Sequence, residues 1–158
     1  MKRLLVLSLV LLLILPAACT PAAGPSAGAP ATTSGEAAVP VLKVSGGDIS
    51  KSYTRADLEA LGSSQSTFKD VAYRGVAVDA LLKDAGFDTA QVRVVKAVAS
   101  DGFTVNYDLS QVFVDGVIVA YAQATGDLTG EDGAFRMVLP GAEGKLNLRM
   151  LTELQVIK

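Results

Sequence analysis

Histidine and tryptophan are absent from the 158-residue sequence, and there is a single cysteine, Cys19. Without imidazole, the chain cannot form a Ser-His-Asp or Cys-His nucleophile arrangement or a His-ligated zinc or copper site, and it lacks the commonest general base. One cysteine excludes an intrachain disulfide and a redox pair of thiols. Any catalysis would therefore depend on carboxylates, lysines or tyrosines.

Runs of basic residues are missing as well. The chain has 14 Lys and Arg against 16 Asp and Glu. If the N-terminal segment that contains Lys2 and Arg3 is removed as a signal peptide, 12 basic residues remain against 16 acidic residues, which gives a net charge of −4. Nucleic-acid binding depends on Lys and Arg that neutralise phosphates. The composition therefore predicts no nucleic-acid partner.

The first 19 residues have the pattern of a secretion signal. Two basic residues precede an apolar run from Leu4 to Leu15, which is too short to span a bilayer comfortably, and small residues lead to Cys19. This arrangement resembles a bacterial lipoprotein signal, so we predict a signal peptide at residues 1–18 and a lipid on Cys19. The lipid would anchor the chain to the extracytoplasmic face of the cell membrane. The alternative is an ordinary secretory peptide with an incidental cysteine.

Residues 19–40 have the composition of a linker. The segment is rich in Ala, Gly, Pro, Ser and Thr, has one charged residue, Glu36, and shows no apolar periodicity. Such a composition buries too little surface to offset the entropy lost on ordering, which predicts a flexible, lipid-anchored spacer. The folded domain is then predicted at residues 41–158, long enough for a core without disulfides.

The pattern within residues 41–158 predicts an α+β fold. Apolar and β-branched runs alternate with short helical repeats, so we expect a mixed, mostly antiparallel sheet with two or three short helices. We expect the two runs that flank the Ser100-Asp101-Gly102 turn to be the central strands, and Gly75-Val76 to be a turn. The predicted strands are residues 41–44, 71–73, 92–99, 103–107, 117–124, 135–139 and 153–158, and the predicted helices are Thr54 to Gly62 and Val78 to Gly86, with one helical turn at 109–113.

Carboxylates are the remaining candidates for acid–base chemistry. Most of them adjoin glycine, as in Asp101-Gly102 and Asp132-Gly133, which is typical of turns rather than of catalytic pairs. The loop at residues 126–133 lacks the Gly-Lys-Ser/Thr of a phosphate loop and the ligand spacing of an EF-hand, which leaves only weak calcium binding open. We therefore predict no catalytic residue and no metal ligand.

Two arginines have mainly apolar neighbours in the sequence. Arg136 interrupts the run from Phe135 to Leu139, and Arg149 lies between Leu148 and Met150. An arginine in such a position extends to the surface, pairs with a carboxylate or faces an anionic ligand. The sequence leaves all three interpretations open.

Five motifs occur in an order and at spacings that are similar to those of a known family. They are Leu42–Gly46, Tyr53–Leu58, Gly75–Gly86, Ser100–Phe103 and Gly133–Gly141. Together they resemble the molybdopterin-binding domain of sulfite-oxidase-like oxidoreductases. The resemblance implies an α+β fold with a mixed sheet, in which a cysteine thiolate holds a molybdenum–pterin cofactor.

The resemblance also implies candidate cofactor-binding residues. Arg136 matches an arginine that precedes a Val-x-Pro segment of the family, and Arg149 falls near a lysine that meets the pterin phosphate. Asp101 and Gly102, in the Ser-Asp-Gly-Phe motif, complete the set of candidates. The family's metal-binding cysteine lies between the first helix and the Gly-Val pair, but residues 63–74 of this chain contain no cysteine.

These observations lead to three competing functions. The first is a membrane-anchored lipoprotein domain that binds no cofactor and serves as a non-catalytic module for a small-molecule or protein partner. The second is a molybdopterin-dependent oxidoreductase or electron-transfer component that retains the pterin through arginine and backbone contacts. The third is a structural or adhesion domain without a small ligand. We favour the first, because the cysteine and histidine that would hold the metal are missing.

Overall fold

The computed structural model of the protein describes residues 39–158. The predicted signal peptide, Cys19 with its predicted lipid and nearly all of the predicted linker lie outside the described residues. Within residues 39–158, ten strands form two sheets, joined by three short α-helices. One sheet is mixed, with a single parallel pair, and the other is antiparallel, which confirms the predicted α+β class. No helix in this part of the chain is long and apolar enough to cross a bilayer.

The first sheet contains β1 (Leu42–Gly46), β2 (Ile49–Tyr53), β5 (Val94–Ala99), β6 (Thr104–Asp108) and β10 (Leu151–Ile157). Their spatial order is β2–β1–β10–β5–β6. β10 pairs in parallel with β1 and antiparallel with β5, and the other pairs are antiparallel. The last strand of the chain therefore joins the first hairpin to the β5–β6 hairpin.

The second sheet contains β3 (Ser64–Phe68), β4 (Val71–Ala77), β7 (Ile118–Gln123), β8 (Gly126–Asp127) and β9 (Arg136–Val138). β4 and β7 pair in its middle, β3 lies beside β4, and β8 and β9 both pair with the far edge of β7. β3 and β9 lie at opposite edges, yet some of their Cα atoms come within 8 Å of each other. The sheet is therefore strongly curled.

One hydrophobic core takes side chains from both sheets. In β5, Val95, Ala97 and Ala99 are buried and alternate with partly exposed residues, as expected of a strand with one face on the core. The second sheet contributes Val119 and Met137 to the same core, and its other face carries a smaller apolar cluster around Tyr73 and Ile118. β7 is buried along nearly its whole length and lies centrally in its sheet.

Two helix boundaries follow the sequence prediction. Thr54 caps the first helix in a capping box, in which the Asp57 carboxylate accepts the Thr54 backbone N–H at 2.8 Å. Gly86 follows the second helix with a φ of 95°, a left-handed conformation that favours glycine at a helix C-terminus. The three helices are α1 (Arg55–Ala60), α2 (Val78–Asp84) and α3 (Leu109–Val112).

The Gly75-Val76 pair lies within β4, so the predicted turn is wrong. The pairing of β4 with β7 has a bulge between Arg74 and Gly75. A Cβ atom on Gly75 would collide with the carbonyl oxygen of Val119 in β7. Glycine is therefore needed here for the close approach of two strands rather than for a chain reversal.

The predicted strand set also needs correction. The sequence prediction omits β2 and β3, because both are mostly polar strands at sheet edges, where apolar alternation is weak. β6 lies at an edge of the first sheet, so the prediction that residues 103–107 form a central strand is wrong. The closing strand predicted at 153–158 is β10, and it occupies the centre of that sheet instead.

Candidate ligand-binding groove

Three of the four candidate binding residues meet in one groove. Asp101, Arg136 and Arg149 line a cavity of about 390 Å³, to which the β3–β4 turn, the β5–β6 turn and the segment from Gly144 to Met150 all contribute. Two lysines also line the cavity, so its walls carry four cationic side chains and one carboxylate. We call this cavity the cationic groove.

A second cavity of similar size lies beside Tyr121 and is lined mostly by apolar residues. Its two charged residues, Arg55 and Asp127, form an ion pair with each other. The cationic groove is therefore the better candidate for a polar ligand.

The β5–β6 turn positions Asp101 on the wall of the groove. The Asp101 carboxylate accepts the backbone N–H of Phe103 at 2.9 Å, and Gly102 adopts a φ of 85°. The Ser100 N–H donates to the carbonyl oxygen of Met150 at 2.9 Å, which ties the turn to the opposite segment. Gly102 is not among the residues that line the groove, and its role in the structure is conformational.

Arg136 is a buried cation at the edge of the groove. Its side chain is 2% exposed and donates to the Asp132 carboxylate at 2.6 Å and to the Tyr73 hydroxyl at 2.9 Å. The guanidinium lies 4.7 Å from the centroid of the Tyr73 ring and 5.7 Å from that of Phe68. The ion pair and the two rings hold the side chain in one position.

One donor of Arg136 is unused among the described residues. Its Nε atom is buried and has no hydrogen-bond partner in this part of the chain. Buried N–H groups nearly always have an acceptor, and an exception indicates a water or a ligand atom.

Arg149 is half exposed and is the more accessible of the two arginines. It lies 3.0 Å from the Glu131 carboxylate and 3.6 Å from that of Asp132. The Glu131 side chain is 81% exposed, and such surface ion pairs contribute little stability. Little stability therefore depends on the pairing of Arg149 with Glu131.

The two lysines of the groove are functional candidates that the sequence analysis missed. Lys145 donates to Glu143 at 2.8 Å, and this contact raises the pKa of Lys145 and lowers that of Glu143. Lys69 lies in the two-residue turn between β3 and β4, with its ammonium 5.5 Å from the centroid of the Phe68 ring. The turn is Lys69-Asp70, without the glycine or asparagine that usually marks such hairpins.

Backbone strain concentrates around the groove. Only three non-glycine residues of the described chain have a positive φ, namely Lys69 at 49°, Asp70 at 63° and Met150 at 50°. Lys69 and Met150 both line the groove. Such conformations cost free energy and cluster at ligand sites, where the surrounding structure maintains them.

The chain belongs to the family of oxidoreductase molybdopterin binding domains, whose model matches residues 41–158. Among solved structures, it is similar to the sulfane dehydrogenase SoxCD from Paracoccus pantotrophus, with a TM-score of 0.63 and 18% sequence identity. The match covers 74% of this chain but 38% of the SoxCD chain, so it supports the fold alone. No curated protein matches the chain.

The donor groups of the described residues do not fit a molybdenum centre. Residues 63–74, the interval in which the resemblance implies a metal-binding cysteine, contain β3, a two-residue turn and the first four residues of β4. Ser66 in this interval is buried, and its hydroxyl does not line the groove. Residues 39–158 contain no cysteine or histidine, and no three Asp or Glu side chains come together as a metal site. The cationic side chains would instead suit an anionic group.

Proposed function

We propose that this protein is a membrane-anchored, extracytoplasmic lipoprotein whose molybdopterin-binding-type domain acts as a non-catalytic binding module. The observation that supports the proposal is the lack of a cysteine in residues 63–74, which form most of the β3–β4 hairpin and are the interval in which the resemblance implies a metal-binding thiolate. The charged groove supports retention of a ligand-binding role. The signal pattern and Cys19 in the sequence support the membrane anchor.

Metal and pterin analysis of the purified protein tests the loss of the metal centre. The full chain, expressed in a host that makes molybdopterin, would be analysed for molybdenum by mass spectrometry and for pterin by fluorescence after oxidation. We expect far less than one molybdenum per chain, because the described residues offer neither thiolate nor imidazole. Stoichiometric molybdenum would refute the proposal.

The second candidate is an oxidoreductase or electron-transfer component that keeps a pterin without a protein ligand to the metal. The cationic groove favours it, because Arg149 and two lysines could bind the phosphate of the pterin. This candidate predicts that pterin copurifies with the chain and is lost in Arg149→Ala, while Lys83→Ala on the exposed side of α2 retains it. Equal amounts of copurified pterin in the Arg149→Ala and Lys83→Ala variants would count against this candidate.

The third candidate, a structural or adhesion domain without a small ligand, has less support. It would be favoured by a surface without a cavity near Asp101 and Arg136, but both residues line the cationic groove. Native mass spectrometry of the protein gives a direct comparison, because a ligand that is retained in the groove would add a discrete mass to the chain.

A further inference from the structure

The cationic side chains of the cationic groove differ in how fully nearby carboxylates balance their charges. Arg136 has a buried partner in Asp132, whereas Lys145 and Arg149 pair only at the surface with Glu143 and Glu131, or at longer range. Lys69 takes part in none of the ion pairs formed within residues 39–158. Since surface pairs are weak, the groove has cationic charge to offer an incoming anion.

The Lys69 ammonium lies close to the wall of the groove that is formed by the segment from Gly144 to Met150. A Cβ atom built on Gly144 would stand 3.9 Å from the Lys69 ammonium, so the hairpin turn reaches the segment that carries Lys145.

Apolar side chains line the same groove. Phe68 and Phe103 belong to its lining, together with Leu148 and Met150. Phe103 is 51% exposed, which makes it one of few large apolar side chains left open to solvent in the described chain. An aromatic ring beside cationic groups suits a ligand with a planar apolar body as well as a charge.

We propose that Lys69, Lys145 and Arg149, with Phe68 and Phe103, form a binding site for small aromatic anions such as aryl phosphates, which bind without a metal. This inference rests on the proposed function as a binding module and gives that module its ligand class.

Titration with three small-molecule probes tests separately whether the aromatic ring and the anionic group of the ligand contribute to binding. Phenyl phosphate carries the ring and the anion, benzyl alcohol carries the ring alone, and glycerol 1-phosphate carries the anion in the form of a lipid headgroup. The full chain in a nonionic detergent, purified without added molybdenum, would be titrated by calorimetry and ligand-observed NMR. We expect phenyl phosphate to bind at least about tenfold more tightly than either other probe.

Substitutions test whether phenyl phosphate binds in the cationic groove. Lys69→Asn removes the charge but keeps a residue that tolerates positive φ, and Arg149→Gln removes the second cation. Each should weaken phenyl phosphate binding by about tenfold, whereas Lys83→Gln, on α2 outside the groove, should leave it unchanged. Glu143→Gln should strengthen binding by about twofold, because it frees Lys145. A gain of this kind cannot come from misfolding.

Three results would overturn the inference. The first is phenyl phosphate that binds no better than benzyl alcohol, and the second is an equal loss in Lys83→Gln and Lys69→Asn. The third is glycerol 1-phosphate that binds as tightly as phenyl phosphate, which would indicate a lipid headgroup site instead. None of these outcomes depends on the molybdenum content of the protein, so this inference can fail while the proposed function stands.

Discussion

Arg136 shows how a residue with an ambiguous sequence context acquires a definite role. Among residues 39–158 it is the largest fully buried side chain, and its charge is balanced by Asp132, which is also buried. The Thr129 hydroxyl donates to the second oxygen of the Asp132 carboxylate at 2.9 Å. Removal of Asp132 would leave Arg136 buried without a charged partner, and removal of Arg136 would leave Asp132 with only the longer contact to Arg149 at 3.6 Å.

We expect Arg136→Leu to destabilise the protein by about 3–5 kcal/mol, since Asp132 would remain buried without its partner. The double variant Arg136→Leu with Asp132→Asn should recover part of this loss, because no buried charge is left. Urea unfolding of the two variants and the wild type provides the comparison. A double variant as unstable as the single one would show that packing against Tyr73 and Phe68, rather than charge, dominates.

Asp84 provides a test of an ionised group at the surface. Its carboxylate accepts from the Lys51 ammonium at 2.6 Å and from the Tyr53 hydroxyl at 2.7 Å. These donors lower the pKa of Asp84 below its ordinary value of 3.8. Burial and the same contact with Asp84 raise the pKa of the Tyr53 phenol, which stays protonated as the donor.

The lowered pKa of Asp84 predicts a specific pH dependence. A carboxyl group whose pKa is lower in the folded state stabilises the fold fully above its ordinary pKa and loses this effect as the pH falls through the folded value. The wild type should therefore be more stable than Asp84→Asn at pH 7, and the difference should shrink below pH 3.8. Chemical unfolding of both proteins across this pH range measures the difference in their free energies of unfolding, and Asp79→Asn serves as the control. A difference that is the same at both ends of the range would contradict the assignment.

At the level of strands, the close contact of β4 with β7 depends on one glycine. Gly75 lies at the bulge, where the β7 backbone leaves no room for a side chain. Gly75→Ala should lower the free energy of unfolding by about 1–3 kcal/mol, because the two central strands of the second sheet would have to separate.

Gly130→Ala is a matched control for this effect. A Cβ atom at Gly130 would meet no atom within 4 Å, and its φ lies outside the left-handed region. The Gly130→Ala variant should have a free energy of unfolding within about 0.5 kcal/mol of that of the wild type in the same denaturation experiment. Equal stability of Gly75→Ala and the wild type would mean that the bulge relaxes freely.

For the protein as a unit, the membrane anchor is the prediction that most affects its biology. If Cys19 carries the lipid, Cys19→Ser should move the protein from the membrane pellet to the soluble fraction, because the acyl chains supply the membrane affinity. The neighbouring Thr20→Ala should leave it in the pellet. Fractionation in a bacterial host followed by immunoblotting measures the distribution. A Cys19→Ser protein that still pellets with membranes would exclude the lipid as its anchor.

Some features could be predicted because they depend only on neighbouring residues. The capping box of Thr54 and Asp57, the termination of α2 before Gly86 and the alternation in β5 each involve interactions within a few positions. The lack of histidine is likewise a property of the chain that no fold can change. These features were enough for the α+β class and for doubt about a metal centre.

Other features required contacts between distant segments. Ser45 in β1 hydrogen-bonds to Glu153 in β10 across 108 positions, and no local pattern predicts that β10 lies in the centre of its sheet. The polar strand β3 becomes recognisable only through its pairing with β4. The convergence of Lys69, Arg136 and Arg149 in one groove has the same origin, because it depends on how the second sheet curls. Local chemistry thus specified the helices and the apolar strands, while contacts between remote segments defined the polar edge strands, placed all of the elements and created the groove.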